Sequence, residues 1–242
     1  MTVNAENLNF DKVNELINSA EGKSVTVKNA LGHRYIGCGS SGKTITVEGI
    51  PGNALGAYLN GSKIIVKGNA QDAIGDTMND GEIVVHGNCG DTTGYAMRSG
   101  KIFINGNAGY RVGIHMKEYQ NLFPTIVIGG KVGDFLGEYQ AGGIIIVLGN
   151  GTEEGKSPVG SFCATGMHGG KIFIRSAVAP KGLPKQVVCK EATAEDKKSV
   201  KKYIEEYCRH FGGSADDYMN DKFFLLTPNS ASPYKQLYTQ NI

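Results

Sequence analysis

Several features that often reveal a function are missing from this 242-residue chain, which has no tryptophan and only 8% aromatic residues. Its charges nearly cancel, at a formal net charge of +2, so we expect no nucleic-acid partner. It has no apolar signal segment at its N-terminus and no apolar run near the length of a membrane span. We therefore expect a cytoplasmic protein without a membrane partner.

The five cysteines form an odd set with no C-x-x-C pair. This argues against a disulfide framework and a zinc knuckle, and for reduced thiols in a cytosol. The histidines show no H-x-x-x-H or H-x-H spacing, and the chain has no G-x-S-x-G motif. The sequence thus predicts no catalytic residue, no cofactor-binding residue and no metal ligand in this chain.

Two pairs of residues could carry chemistry at a turn, and both have a simpler interpretation. Cys163 and His168 are five residues apart, which defines no thiolate–imidazole geometry, so a buried structural cysteine is favoured. Asp134 and Glu138 could act as paired carboxylates, but solvated turn positions are favoured. A free-standing esterase-type hydrolase, with a serine or cysteine and a histidine at a turn, stays open as an alternative function.

What the chain has in excess is glycine, 35 residues in all, and the glycines mark a repeat. The apolar residues Ile45, Ile64, Ile83 and Ile102 are each 19 residues apart, and two columns of glycines keep this spacing until insertions lengthen it. Because sharp turns under a stacked backbone favour glycine, we interpret both columns as structural. The first column contains Gly37, Gly56, Gly75, Gly94, Gly113 and Gly137, and the second contains Gly49, Gly68, Gly87, Gly106 and Gly149.

A period near 20 residues with one short strand per repeat is typical of a solenoid. Strands that pair with their equivalents one repeat later form a parallel sheet, and the general preference for right-handed crossovers favours the right hand. We therefore predict an all-β fold: a single-stranded right-handed parallel β-helix of about seven coils, with short helices at the N- and C-terminal ends. Equivalent side chains should stack, giving an apolar ladder and an asparagine ladder. The apolar ladder contains Leu59, Met78, Met97, Met116 and Met167, and the asparagine ladder contains Asn69, Asn88, Asn107 and Asn150.

The pattern divides the chain into three regions: an N-terminal capping helix in residues 1–22, the glycine-repeat β-helix in 23–176, and a linker, helix and C-terminal tail in 177–242. Two insertions, in Glu118–Pro124 and Asn150–Pro158, break the repeat. Insertions in a repeat protein map to surface loops and often to a binding face, although a tolerated loop is the simpler alternative. We expect the insertions and the C-terminal helix to contact partners, because only these segments leave the repeat.

Local sequence signals predict the helices and the strand that lie before and after the repeat. The apolar residues of Phe10–Ile17 share one helical face, and Asn9 can serve as N-cap. An amphipathic helix follows Thr193, whose side chain can cap it, and Lys222–Leu226 reads as one strand. We predict that the tail caps the last coil, wraps back along the repeat or docks on a partner.

The segment Gly37–Thr44 satisfies the phosphate-loop pattern G-x-x-x-x-G-K-[ST]. A phosphate cradle needs a helix after the loop, so that the helix N-terminus faces the phosphates. Here Lys43 opens a β-branched run instead, and it aligns with Lys63 and Lys101 in the repeat. The repeat therefore explains the match without a nucleotide.

Three stretches carry a resemblance to a known family: Gly32–Gly37, Gly109–Gly113 and Gly133–Gly149. With the recurring G-x-x-x-G units and G-x-I-x-V strands, they resemble the glycine-repeat (GXGXG) β-helix domain of the glutamate synthase large (alpha) subunit, over roughly residues 5 to 180. The array is also similar to the glycine-repeat subunit of formylmethanofuran dehydrogenase.

The resemblance implies a scaffold that packs between a glutamine-hydrolysing domain and an FMN and iron–sulfur synthase domain. It suggests a non-catalytic subunit of a split glutamate synthase, which makes glutamate from glutamine and 2-oxoglutarate. The implied partners are a glutamine amidotransferase subunit and a synthase subunit that holds FMN and iron–sulfur, with no cofactor in this chain. A formylmethanofuran dehydrogenase scaffold is the alternative, and self-association into a homo-oligomer stays open.

Overall fold

The computed structural model describes residues 1–229, in which eleven strands form one sheet and three helices flank it. The sheet order is β1-β2-β3-β4-β5-β6-β7-β8-β9-β11-β10. The helices are α1 (Phe10–Ser19), α2 (Ala194–Phe211) and α3 (Ala215–Asn220). The strands are β1 (Thr2–Asn4), β2 (Ser24–Leu31), β3 (Thr44–Ile50), β4 (Asn60–Val66), β5 (Asp80–Val85), β6 (Lys101–Ile104), β7 (Thr125–Ile128), β8 (Ala141–Val147), β9 (Gly169–Arg175), β10 (Val187–Glu191) and β11 (Phe223–Pro228).

Strands β1 to β9 pair in parallel, each with the next in the chain, and no helix separates β2 from β9. The predicted register is confirmed: Ile45 lies opposite Ile64, Ile64 opposite Ile83, and Ile83 opposite Ile102. All four isoleucines are fully buried. Since a slip of one residue would turn every side chain to the opposite face, these buried positions specify the pairing.

The predicted fold class is wrong. The sequence predicted an all-β, right-handed, single-stranded parallel β-helix of about seven coils, whereas the structure is one eleven-stranded mixed sheet with helices. Strand β11 pairs antiparallel with both β9 and β10, and helix α2 packs against the sheet. The isoleucine column records which residues lie opposite one another in neighbouring strands, and the first glycine column records equivalent places in the turns between them. Parallel strands of one sheet joined by equivalent turns produce the same columns. The antiparallel strands lie after the repeat, where no periodic signal exists.

Two clusters of buried residues cover the sheet, because successive side chains of a strand point to opposite faces. One cluster contains the isoleucine column, and α1 contributes Val13 and Ile17 to it. The other lies under α2 and brings Phe103 and Phe173 of the sheet into one group with Tyr207 of the helix. Helix α2 is further held by an ion pair of 2.6 Å between Lys101 Nζ and Glu206 Oε2.

The predicted terminal elements are confirmed. Helix α1 begins after Asn9, whose Oδ1 accepts the Lys12 N–H at 2.8 Å. Helix α2 begins with a capping box between Thr193 and Asp196. The tail wraps back on its own sheet, so the apolar face of α2 is buried within the chain. Within residues 1–229, no helix is both long and apolar enough to cross a membrane. The predicted limits of the three regions stay predictions, and residues 230–242 of the last lie outside the described residues.

Candidate functional site: a surface of stacked aromatic turns

Between consecutive parallel strands the chain makes equivalent turns, and backbone hydrogen bonds stack each turn on the next. The Ala73 N–H donates to the Asp91 carbonyl at 2.8 Å, and the Arg111 N–H donates to the Asp134 carbonyl at 2.9 Å. The same bond recurs four residues later, where the His115 N–H donates to the Glu138 carbonyl at 2.9 Å. Two columns of residues result. The first turn column contains Tyr35, Ala54, Ala73, Thr92, Arg111, Phe135 and Phe162, and the second turn column contains Gly39, Tyr58, Thr77, Ala96, His115, Tyr139 and Gly166.

Every residue of both columns has a positive φ, between 49° and 62° for the non-glycine members. This left-handed conformation costs roughly 1–2 kcal/mol for a residue with a side chain and nothing comparable for glycine. Glycine does occupy two of the positions, Gly39 and Gly166. The turn geometry therefore does not require the large side chains at the remaining positions, and another constraint must account for them.

The large side chains contact one another in the last turns of the repeat. The His115 ring stacks on Tyr139 with centroids 5.1 Å apart and planes at 9°, and Tyr95 meets His115 edge-on at 6.0 Å. In the first turn column Phe135 stacks on Phe162 at 4.9 Å and 14°. We define the aromatic turn surface by seven residues: Tyr95, Arg111, His115, Phe135, Glu138, Tyr139 and Phe162.

One ion pair joins Arg111 of the first turn column to Glu138, the residue before Tyr139 of the second. The Arg111 guanidinium lies 4.5 Å from the centroid of the Phe135 ring, and its Nε donates to Glu138 Oε2 at 3.0 Å. Asp134, next to this pair, accepts the Ser161 N–H through Oδ1 at 2.7 Å. Asp134 and Glu138, which the sequence allowed as a carboxylate pair but favoured as solvated turn positions, thus have separate contacts, one in stacking the turns and the other in pairing with Arg111.

The first glycine column lies between the two turn columns and packs directly on the strands. Its six members have φ between 65° and 72°. A Cβ on any of them would lie 2.4–2.8 Å from the Cδ1 atom of an isoleucine of the sheet, which is closer than real Cβ contacts allow. At Gly94, for example, the Cβ would lie 2.4 Å from Ile126 Cδ1. This geometry gives the column a packing role.

The second glycine column lies beside the predicted asparagine ladder. Asn69 Oδ1 accepts the Asn88 N–H at 2.8 Å, and Asn88 Oδ1 accepts the Asn107 N–H at 2.8 Å. A Cβ on Gly87 or Gly106 would lie 2.2 Å from one of these oxygens. The ladder is therefore confirmed for these three asparagines. Asn150 departs from it: its Nδ2 donates to Tyr218 Oη at 3.0 Å, and its Oδ1 accepts from Arg175 at 3.1 Å.

The phosphate-loop match has a structural explanation. Lys43 Nζ donates to the Ala20 carbonyl at 2.6 Å, and the Gly37 N–H donates to Asn14 Oδ1 at 3.0 Å. Thr44 begins strand β3, so no helix N-terminus follows the loop. The lysine and the backbone donor that would contact a phosphate are engaged with α1 and its C-cap.

Cys163 and His168 lie in separate environments. Cys163 is buried, and burial raises the pKa of its thiol to about 12, so it is protonated near neutral pH. His168 Nδ1 lies 3.0 Å from the Gly166 carbonyl oxygen. In the described part of the chain, no three His, Cys, Asp or Glu side chains lie where they could hold a metal ion together.

The two insertions lie at separate features. In the first, Tyr119, Leu122 and Phe123 are 40–61% exposed. The second borders an open cavity of about 390 Å³ between residues 149–158 and the end of β9. At the cavity wall Arg175 donates from Nε to Asp221 Oδ2 at 2.6 Å, and its guanidinium lies 5.0 Å from the Tyr218 ring centroid.

Comparison with known proteins adds a family and one relative. The model of the GXGXG motif family matches residues 5–229. The uncharacterized protein MJ1350 of Methanocaldococcus jannaschii is 42% identical over 255 aligned residues, which cover all of this chain and 97% of that protein. A match across nearly the whole chain agrees with the recurring glycine units and their stacked turns. The chain belongs to the GXGXG motif family.

Proposed function

We propose that this chain is a non-catalytic scaffold subunit of a split glutamate synthase, the enzyme that forms glutamate from glutamine and 2-oxoglutarate. In this proposal it holds a glutamine amidotransferase subunit and a synthase subunit at the separation that ammonia transfer requires. FMN and iron–sulfur centres belong to the synthase partner. Family membership supports the proposal, together with the resemblance of Gly133–Gly149 to the glutamate synthase domain.

The observation that carries the scaffold role is the aromatic turn surface. The exposed aromatic residues occupy left-handed backbone positions that glycine would adopt at lower energy. We interpret them as contact residues for another protein. Aromatic and arginine side chains supply most of the energy at protein interfaces, and both occur here on turns that hydrogen bonds hold in place. Phe162 is 55% exposed, and Tyr110, which precedes Arg111, is 50% exposed.

The test is reconstitution with separately purified amidotransferase and synthase subunits from the same organism. We expect the three chains to co-elute in a complex with flavin and iron–sulfur absorbance. With a two-electron reductant supplied, the glutamine-dependent conversion of 2-oxoglutarate to glutamate should require this chain. Ammonia-dependent glutamate formation by the synthase subunit should persist without it, which controls for the integrity of the catalytic partner.

Three results would contradict the proposal in different ways. Equal glutamine-dependent activity with and without this chain would remove the scaffold role. Stable association with a molybdenum or tungsten enzyme instead would assign the chain to the formylmethanofuran dehydrogenase type. Ester hydrolysis by the purified chain alone, lost when one serine, cysteine or histidine is replaced by alanine, would make it an enzyme.

A further inference from the structure

We infer that the aromatic turn surface binds an arginine-bearing segment of a partner protein, with the guanidinium lying on an aromatic ring and paired with a carboxylate. The inference rests on the proposed function, in which this chain holds other proteins, and it specifies the chemistry of the partner segment. It concerns the part of the surface around Phe135, Phe162 and Glu138.

The surface already binds one guanidinium in this way. Arg111 lies over Phe135 at 4.5 Å and pairs with Glu138 at 3.0 Å. Its side chain is 45% exposed, whereas that of Glu138 is only 12% exposed. The arrangement shows that a ring and a carboxylate three residues apart on one turn have the spacing that a planar cation from outside that turn needs.

The stack of rings extends beyond the internal arginine. Phe135 has Arg111 at 4.5 Å and Phe162 at 4.9 Å, and Phe162 itself is 55% exposed. Since aromatic stacking uses one face of Phe162, its remaining exposed surface offers a second cation–π position. Arginine suits this position better than lysine because its planar group stacks on a ring while its N–H groups still reach a carboxylate.

The charge of the neighbouring turns selects a cation. Asp91 and Asp134 each accept a backbone N–H of the next turn through Oδ1, at 2.8 Å and 2.7 Å. Within residues 1–229, no hydrogen bond or ion pair engages the Oδ2 atom of either carboxylate, so each can accept from a further donor. Since the charges of Arg111 and Glu138 offset each other, these two carboxylates favour a basic protein segment over nucleic acid or an anionic lipid head group.

The experiment measures binding of two short peptides, Ac-Gly-Arg-Gly-Arg-Gly-amide and its lysine counterpart, to the full chain by NMR titration at 150 mM salt. We expect the arginine peptide to bind about fivefold more tightly, because both peptides carry the same charge and only the guanidinium stacks on a ring. In Phe162→Leu, which keeps an apolar side chain but removes the ring, this preference should disappear. Phe10→Leu, the same change on helix α1, is the matched control and should keep the preference.

Equal affinity for the two peptides, no detectable binding of either, or an unchanged preference in Phe162→Leu would overturn the inference. The result of this peptide experiment can be distinguished from the result of the reconstitution that tests the proposed function. If the glutamate synthase complex fails to assemble but the arginine preference holds and depends on Phe162, the surface is assigned correctly and its partner is a different protein. If the complex assembles with equal affinity from wild-type and Phe162→Leu chains, the scaffold role stands and this contact does not contribute to it.

Discussion

Replacing Gly94 by alanine separates two costs that the structure assigns to the first glycine column. Gly94 has a φ of +72°, and a Cβ there would lie 2.4 Å from Ile126 Cδ1. The new methyl group therefore encounters both an unfavourable backbone conformation and a steric overlap. Glycines elsewhere in the chain have only one of these features, or neither, which provides matched controls.

The expected magnitude follows from the separate contributions. An alanine in the left-handed region costs roughly 1–2 kcal/mol, and forcing one extra carbon into a packed site costs roughly 1–3 kcal/mol. Alanine also restricts the unfolded chain, which offsets about 0.4–1 kcal/mol. We expect Gly94→Ala to lower the free energy of unfolding by about 2–4 kcal/mol on these figures.

Two control variants isolate the contributions. Gly42 has a φ of +66° and no atom within 4 Å of the added Cβ, so Gly42→Ala introduces only the backbone strain. It should cost about 0.5–1 kcal/mol after the offset from the unfolded chain. Gly22 has neither a left-handed φ nor a close neighbour. Gly22→Ala should leave the free energy of unfolding unchanged or raise it slightly.

The assay is urea unfolding followed by far-UV circular dichroism, since the chain has no tryptophan. A second substitution, Ile126→Val, removes the Cδ1 atom that the new Cβ would overlap. In the Ile126→Val background Gly94→Ala should cost little more than Gly42→Ala, so the two substitutions should couple by about 1–3 kcal/mol. If Gly94→Ala costs no more than Gly42→Ala, or if Ile126→Val leaves its cost unchanged, the overlap argument is refuted.

Three further predictions concern the tail, the thiols and a half-buried histidine. Arg175→Met should lower the free energy of unfolding by about 0.5–1.5 kcal/mol, because it removes the guanidinium's hydrogen bonds to the exposed side chains of Asp221 and Asn150, and urea unfolding measures this loss; an unchanged midpoint would show that the contacts contribute nothing. Iodoacetamide should label the exposed Cys38 in the native protein, whereas it should label Cys163 only as fast as the chain unfolds. Mass spectrometry of samples taken over time measures both rates. Early labelling of Cys163 would contradict its burial. Burial lowers the pKa of the His210 imidazole from its ordinary value of 6.5. The unfolded chain therefore protonates His210 more readily than the folded chain does. The contribution of neutral His210 to the free energy of unfolding is fully present above pH 6.5 and declines as the pH falls towards the lowered pKa. Between pH 7.5 and 5.5, His210→Asn should reduce this decline in the urea midpoint, and an identical pH profile would exclude His210 as its cause.

The sequence predicted the strand register and the terminal elements because each has a local or periodic cause. Ile45 and Ile64 occupy equivalent places in a repeat of 19 residues, and they are paired in the sheet. Asn9 and Thr193 precede amphipathic segments, and each caps its helix. These signals depend only on neighbours in the chain or on a constant spacing, so one sequence is enough to read them.

The fold class was not predictable in the same way. The repeat states which residues lie opposite one another but not what happens beyond its last strand. There β11 inserts between β9 and β10 in antiparallel pairing, and α2 covers Phe103 and Phe173 of the sheet. Both contacts join residues far apart in the chain without any repeated spacing, so the pattern that predicted the parallel pairs contained no information about them.

The candidate site was missed for a related reason. The turn columns share one backbone conformation, yet their side chains range from Gly39 and Ala73 to Arg111 and Phe162. A column without a constant residue type gives no periodic signal, although aromatic residues at fixed offsets inside the G-x-x-x-G units could have indicated it. Only the folded structure brings the rings of successive turns into contact.

This contrast between columns is itself an argument about function. The first glycine column keeps one residue type over six turns because any Cβ would strike a strand isoleucine, so folding alone accounts for it. The turn columns on either side stack through equivalent hydrogen bonds whatever their side chains, and glycine would lower their backbone energy. The stacking of these rings within the chain offsets part of the backbone cost at His115, Tyr139 and Phe162. Under the scaffold role proposed above, a contact with another molecule would account for the ring surface that stays exposed, since exposed rings in a fixed arrangement lose little conformational entropy on binding.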